Sequence, residues 1–179
     1  MREKGEKNFL NGNALKATDF FVSPSRGYVS LSALVDMISD FMREDKESKY
    51  QLVIGTDSQV RVCGKNKEVD YVSAIIAYRK GSGAIYFWRK VRDFANPTLR
   101  DKIYMETLIS LDIAQKIVPS IRDKIDDAVY DLEIHIDVGP VGQTRDMIKE
   151  VVSIVSGNGF TAKTKPHSWG ASSVADKYT

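Results

Sequence analysis

Four carboxylates stand out for where the surrounding residues place them. Asp57 ends YQLVIGTDSQ, residues 50–59, an apolar β-branched run that turns polar at its last residues. Asp137 ends a second such run, DLEIHIDV, residues 131–138, just before Gly139-Pro140-Val141-Gly142. Both runs have the pattern of buried strands, and ligands bind beyond the carboxyl ends of strands in open α/β sheets. If the two strands are parallel neighbours, their carboxylates lie side by side. One pKa would then rise unless a cation held both. A pair of strand-end aspartates alone fits a metal or ligand site and a plain turn equally well. Glu106 sharpens the choice, because it shares a helical stripe with Leu99, Ile103, Ser110, Ile113 and Ile117. A carboxylate on a buried stripe is costly unless it is paired or coordinated; at an edge it would only snorkel outward. Asp176 is a fourth acid, in the small-residue segment GASSVADK, where a helix can approach a sheet closely or end in solvent.

The elements that must position these acids follow from periodicity. Residues 1–28 read as an irregular arm pinned by aromatics such as Phe20 and Phe21. Ser30 caps an amphipathic helix carrying Leu31, Leu34, Val35, Ile38, Phe41 and Met42 on one face. After the strand at 50–59, Val69 to Tyr78 and Ala84 to Val91 form a hairpin across Lys80-Gly81-Ser82-Gly83. Asn96-Pro97-Thr98 opens a long helix to about Val118, where Pro119 interrupts the pattern and a shorter segment runs on to Asp127. The strand 131–138 is followed by an amphipathic helix, 143–155, then a short strand, 160–165, and a last helix from Gly170. The order implies a mixed five-stranded α/β sheet, the first three strands antiparallel and the rest parallel, flanked by helices. Residues 1–49 are expected to pack as an N-terminal extension on a core of residues 50–179.

Composition sets bounds. The 26 basic and 24 acidic residues give a net charge of +2, too balanced to announce a nucleic-acid binder, though a local basic groove remains compatible with it. The single cysteine, Cys63, excludes an intramolecular disulfide and fits a reducing compartment. No apolar run is long enough for a membrane helix, and MREKGEKNFL lacks a signal-peptide core. A cytoplasmic protein is expected.

The acids lie on GTDSQ, YMETLISLDIA, IHIDVG and HSWGASSVADK, an order that resembles ribonuclease H-like nucleases. The combination of VIGTDSQ, DVGPVGQTRDMI and KPHSWGASSVADKYT is similar to the YkuK family of predicted nucleases related to ribonuclease H. The resemblance covers residues 50–179 and implies two divalent cations, Mg2+ or Mn2+, about 4 Å apart, that activate water and stabilise the leaving oxygen of a phosphodiester. It implies that Asp57 bridges both ions, Glu106 and Asp137 complete one, and Asp176 completes the other. It gives His167 a part in proton transfer or product release, against a plain surface position. One departure concerns substrate. Ribonucleases H grip RNA/DNA hybrid with a basic helical protrusion before the last strand, whereas this interval holds a single helix. DNA, RNA and hybrid partners all stay open.

Other contacts are read from residue type. His135 shares a strand face with Glu133 and Asp137 and is expected to be a neutral, hydrogen-bonded core imidazole. Ser58 and Gln59 sit where they can reach sugar or base edges. Lys163, Lys165 and His167 are placed to line a phosphate path, with Arg89, Lys90 and Arg92 extending it. Trp88 and Trp169 offer stacking surfaces. Solvated charges and half-buried aromatics explain the same residues as well. The leading expectation is a metal-dependent nuclease, ahead of a non-catalytic nucleic-acid-binding module and of a nucleotide-binding phosphotransferase. The last would require a second such domain.

Overall fold

The computed structural model describes residues 20–63, 66–93, 96–125, 130–142, 144–170, 173–174 and 177–178. Strands β1 (Phe20–Ser23) and β2 (Gly27–Ser30) lead into helix α1 (Leu31–Arg43). Three long strands follow: β3 (Tyr50–Cys63), β4 (Asn66–Arg79) and β5 (Gly83–Asp93). Then come helix α2 (Leu99–Lys124), β6 (Tyr130–His135), a 3-10 turn (Arg145–Met147), helix α3 (Ile148–Gly157) and β7 (Thr161–Lys163). The strand order is β2-β1-β5-β4-β3-β6-β7. The β3–β4 and β4–β5 pairs are antiparallel, and β3–β6 and β6–β7 are parallel, as the sequence pattern implied.

Among the described residues the sheet has seven strands where five were expected. The additional pair is a hairpin in the segment read as irregular, turned at Gly27 with φ of 70° and added to the edge of β5 through Val22 opposite Trp88. Four-residue strands carry too little alternation to announce themselves. Pro119 also fails to break its helix. Ile117, Val118 and Ile121 on either side of it are buried in one core, and that burial offsets the missing backbone hydrogen bond. Of the expected last helix, residues 169–170 and 173–174 are helical.

Alternation along the strands gives the sheet two unlike faces. Leu52, Ile54, Ile75, Phe87 and Ile134 point to one side and join α1, α2 and α3 in the main core. Val53, Gly55, Asp57, Ala74, Ile76, Trp88 and His135 alternate with those residues and point to the other side. The first is the helix-covered face and the second the far face, against which Gly170 lies. No helix among the described residues is long and apolar enough to cross a membrane.

Candidate metal and nucleic-acid site

Strand register brings the two aspartates level. β3 and β6 pair in parallel up to Gly55 opposite His135, and Asp57 and Asp137 each lie two residues further on. β6 ends there at His135, and backbone bonds tie the residues after it to the end of β7 and the segment beyond: Ile136 N donates to Lys163 O at 2.9 Å and Lys165 N to Val138 O at 2.8 Å. β3 itself continues to Cys63, paired only with β4 on its other side. The edge of β3 is therefore released at the aspartates, and groups from both faces of the sheet can share the space there.

Glu106 enters that space from the helix-covered side. Thr98 caps α2 and makes a reciprocal capping box with Asp101, fixing the start of the helix. The stripe then runs as expected, with Ile103, Glu106, Ser110, Ile113 and Ile117 all buried; Leu99 at the first turn is exposed. Glu106 is only 5% exposed, so it does not snorkel to solvent. Its Oε1 accepts a 2.5 Å hydrogen bond from the Ser58 hydroxyl. Below it a hydroxyl chain links Ser110 to Thr56 at 2.9 Å and Thr56 to Ser73 at 3.0 Å, locking α2 against β3 and β4. Burial pushes the Glu106 carboxyl up to about 8. The Ser58 bond opposes this, Asp57 and Asp137 push the same way, and Lys102 pulls back. The two aspartates thus act electrostatically on Glu106, and at neutral pH it is held mainly as the neutral acid. Tyr71, opposite Ser58 in the ladder, is raised to about 12 by burial and then by the Glu106, Asp93 and Asp101 charges.

Asp137 meets a cation of the chain. Its Oδ1 accepts no well-aligned hydrogen bond, yet lies 2.8 Å from Lys165 Nζ in an ion pair. Two residues earlier, where β6 ends short of the expected residue 138, His135 is buried and docks the C-terminal segment: Gly170 N–H donates to its Nδ1 at 2.9 Å. That assigns the ring proton to Nε2, which donates to Glu133 Oε2 at 3.0 Å. Burial lowers the His135 pKa, with the Glu133 bond opposing, so the imidazole is neutral as expected from the sequence. A Cβ on Gly170 would fall 2.3 Å from Val53 Cγ1, so only glycine allows this close approach.

The remaining candidates are scattered around this centre. Gln59 is exposed on the far face, two residues beyond Asp57. Ser58 is buried and its hydroxyl is engaged by Glu106. His167 is exposed, with its backbone N–H bonded to Thr164 O at 2.8 Å. Trp169 is 37% exposed and makes edge contacts with Tyr78 and His135. Trp88 is stacked on Tyr178, centroids 4.1 Å apart. Arg89 does not extend a phosphate path: it is buried on the helix-covered face, over the Phe21 ring. Alternation along β5 decides this, since Arg89 points opposite to Lys90. Asp176 lies outside the described residues. Sequence reading missed Asp70, buried on the far face with three cations around it; its signal was the alternation of charges at Arg61, Asp70, Lys90 and Arg92.

The model of the family described as Ribonuclease H-like matches residues 33–179. The chain belongs to this ribonuclease H-like family. It is also 30% identical to a Bacillus subtilis (strain 168) protein described as "Uncharacterized protein YkuK", in an alignment covering 89% of this chain and 96% of that one. No solved structure matches the chain.

Ribonuclease H-like folds are associated with nucleic-acid chemistry, and members commonly use Mg2+ or Mn2+. Among the described residues, no three His, Cys, Asp or Glu side chains form a group that could hold a metal ion. The donor chemistry nevertheless fits a hard dication. All candidates are carboxylates; burial first, and the Asp57 and Asp137 charges after it, hold the Glu106 carboxyl up, and at present Lys165 supplies the positive charge at Asp137.

Proposed function

We propose that this protein is a metal-dependent nuclease that hydrolyses phosphodiester bonds of nucleic acid, acting in the cytoplasm. The observation that supports it most is the buried Glu106 under the joint influence of Asp57 and Asp137 at the released edge of β3. Asp57, Glu106 and Asp137, with Asp176 from the C-terminal segment, are the residues that would hold Mg2+ or Mn2+. Two such ions would supply an activated water and charge stabilisation for the leaving oxygen.

The chain's own groups have distinct tasks in this reading. The Ser58 hydroxyl orients Glu106, and the hydroxyl chain through Thr56 and Ser110 keeps α2 from shifting relative to β3. His135 and Gly170 hold the start of the C-terminal segment on the sheet. Lys165, freed from Asp137 when that acid is otherwise neutralised, becomes available to a substrate phosphate. His167, exposed nearby in sequence, is a proton carrier at the rim, while Gln59 and Trp169 contact sugar or base. The test is cleavage of end-labelled hybrid, duplex, branched and single-stranded oligonucleotides with Mg2+ or Mn2+. Asp57→Asn is expected to lower the rate roughly a hundredfold or more, about 3 kcal/mol or above, and a chelator to abolish it. Equal cleavage by wild type and Asp57→Asn would mark a contaminant, and binding without cleavage of any substrate would leave a binding module.

A further inference from the structure

The far face carries two features that the acids do not use. One is ionic. Asp70 is fully buried, yet three cations meet it: Arg92 Nε at 2.7 Å, Arg61 Nε at 3.3 Å and Lys90 Nζ at 3.7 Å. Glu68 adds a second acid, 3.4 Å from Arg92. Asp70 holds the three cations to the sheet, and Asp57 lies on the same face, diagonal to Asp70 as Lys90 is. The Arg92 bond is the main reason that the Asp70 carboxyl sits below its usual range. The Arg61 and Arg92 side chains are still 43% and 46% exposed.

The other feature is aromatic. Tyr28 is 82% exposed and Phe20 60% exposed, although both lie in a paired hairpin. Their neighbours Phe21 and Val29 face the core, so alternation places Phe20, Val22 and Tyr28 on the far face. Val22 is opposite Trp88, which carries Phe20 to the level of Lys90. Lys90 is opposite Val72, and Val72 opposite Asp57. One row of the sheet therefore runs Phe20, Lys90, Val72, Asp57. Three strand spacings put Phe20 about 14 Å from Asp57. Tyr28 is the diagonal neighbour of Phe20, about 7–8 Å away.

We infer that this face is a platform for single-stranded nucleic acid, with bases stacked on Phe20 and Tyr28 and the backbone running over Lys90, Arg92 and Arg61 toward Asp57. The inference rests on the nuclease reading for what lies at the end of the path. Exposed rings beside cations gathered on Asp70 suit a strand whose bases are unpaired, because every base offers a face to stack. A duplex keeps its bases stacked on each other and would meet only the cations.

The test is fluorescence anisotropy of labelled single-stranded RNA, single-stranded DNA and blunt duplexes of the same sequence, using the full chain with a chelator present so that nothing is cleaved. Single strands are expected to bind at least tenfold more tightly than duplex. Phe20→Ala and Tyr28→Ala should each weaken single-strand binding about tenfold, while Tyr28→Phe should bind as wild type. Arg61→Gln should reduce the slope of log affinity against log salt by about 0.7, and the alanine variants should leave that slope unchanged. Duplex binding as tight as single-strand binding, unchanged affinity in both alanine variants, or no binding of any nucleic acid would overturn the platform. So would a fall in melting temperature without loss of affinity, which would make the rings structural. Single-strand binding without cleavage in Mg2+ or Mn2+ would overturn the nuclease reading and support the platform; cleavage untouched by Phe20→Ala and Tyr28→Ala would do the reverse.

Discussion

The two faces of the sheet are built from alternate residues of the same strands and have opposite chemistry. On the helix-covered face, Leu52, Ile54, Ile75, Phe87 and Ile134 close with three helices into one apolar core. On the far face, polar residues fill three successive levels of the ladder: His135 beside Gly55, Lys90 in the row of Asp57, and Arg92 opposite Asp70. Stability and chemistry are thus kept on opposite faces, except at one place. They meet at Glu106, a carboxylate carried on the helix-covered side to a place where the β3 edge is open. A buried acid there opposes stability, and its raised pKa records the fact.

The largest expected effect comes from weakening the apolar face alone. Ile117→Ala removes a fully buried side chain from the centre of α2 and should lower unfolding free energy by about 2–5 kcal/mol in a urea titration. Phe20→Ala on the far face should leave it within about 0.5 kcal/mol. Similar losses from both would erase the distinction between the faces.

Glu106 gives a pH signature of the same contrast. Its folded pKa of about 8 lies above the unfolded carboxylate value of 4.5, so the folded state binds the proton more tightly. This contribution is full below the unfolded pKa and is lost as pH rises through the folded one. In cation-free buffer, stability should therefore fall between about pH 5 and pH 8, at up to about 1.4 kcal/mol per pH unit. Glu106→Gln should flatten that slope and be the more stable protein at pH 8.5. An identical slope in the variant would assign the titration elsewhere.

A smaller effect is expected where the far face is closed by the C-terminal segment. Gly170→Ala forces a methyl against Val53 and the His135 ring, and should destabilise by about 1–3 kcal/mol with a change in Trp169 fluorescence. An unchanged melting temperature and emission would show that the segment does not depend on this contact.

How much of this was legible in the sequence varies by element. The long strands β3 to β5 and the Glu106 stripe follow from side-chain period, which repeats over enough residues to be read; the parallel pairing of β3 with β6 follows from the order of the elements, a helix standing between them. Family motifs added the order of the four acids. The β1–β2 hairpin was not legible, since four-residue strands have no resolvable period, and the continuity of α2 through Pro119 depends on a core that the local sequence does not show. Arg89 was misjudged because its neighbours Lys90 and Arg92 share its charge but not its face. The hydroxyl chain from Ser110 to Ser73 joins three elements far apart in sequence, and only folding reveals it.

If Asp57, Glu106 and Asp137 hold a divalent cation as proposed, calorimetric titration of Mn2+ into the protein at pH 6.5, in two buffers of different ionisation enthalpy, will show it. With the Glu106 carboxyl raised to about 8, binding should release close to one proton, and Glu106→Gln should abolish that release. Binding with no proton released, or binding undiminished in Asp57→Asn, would rule out a cation held by these three acids.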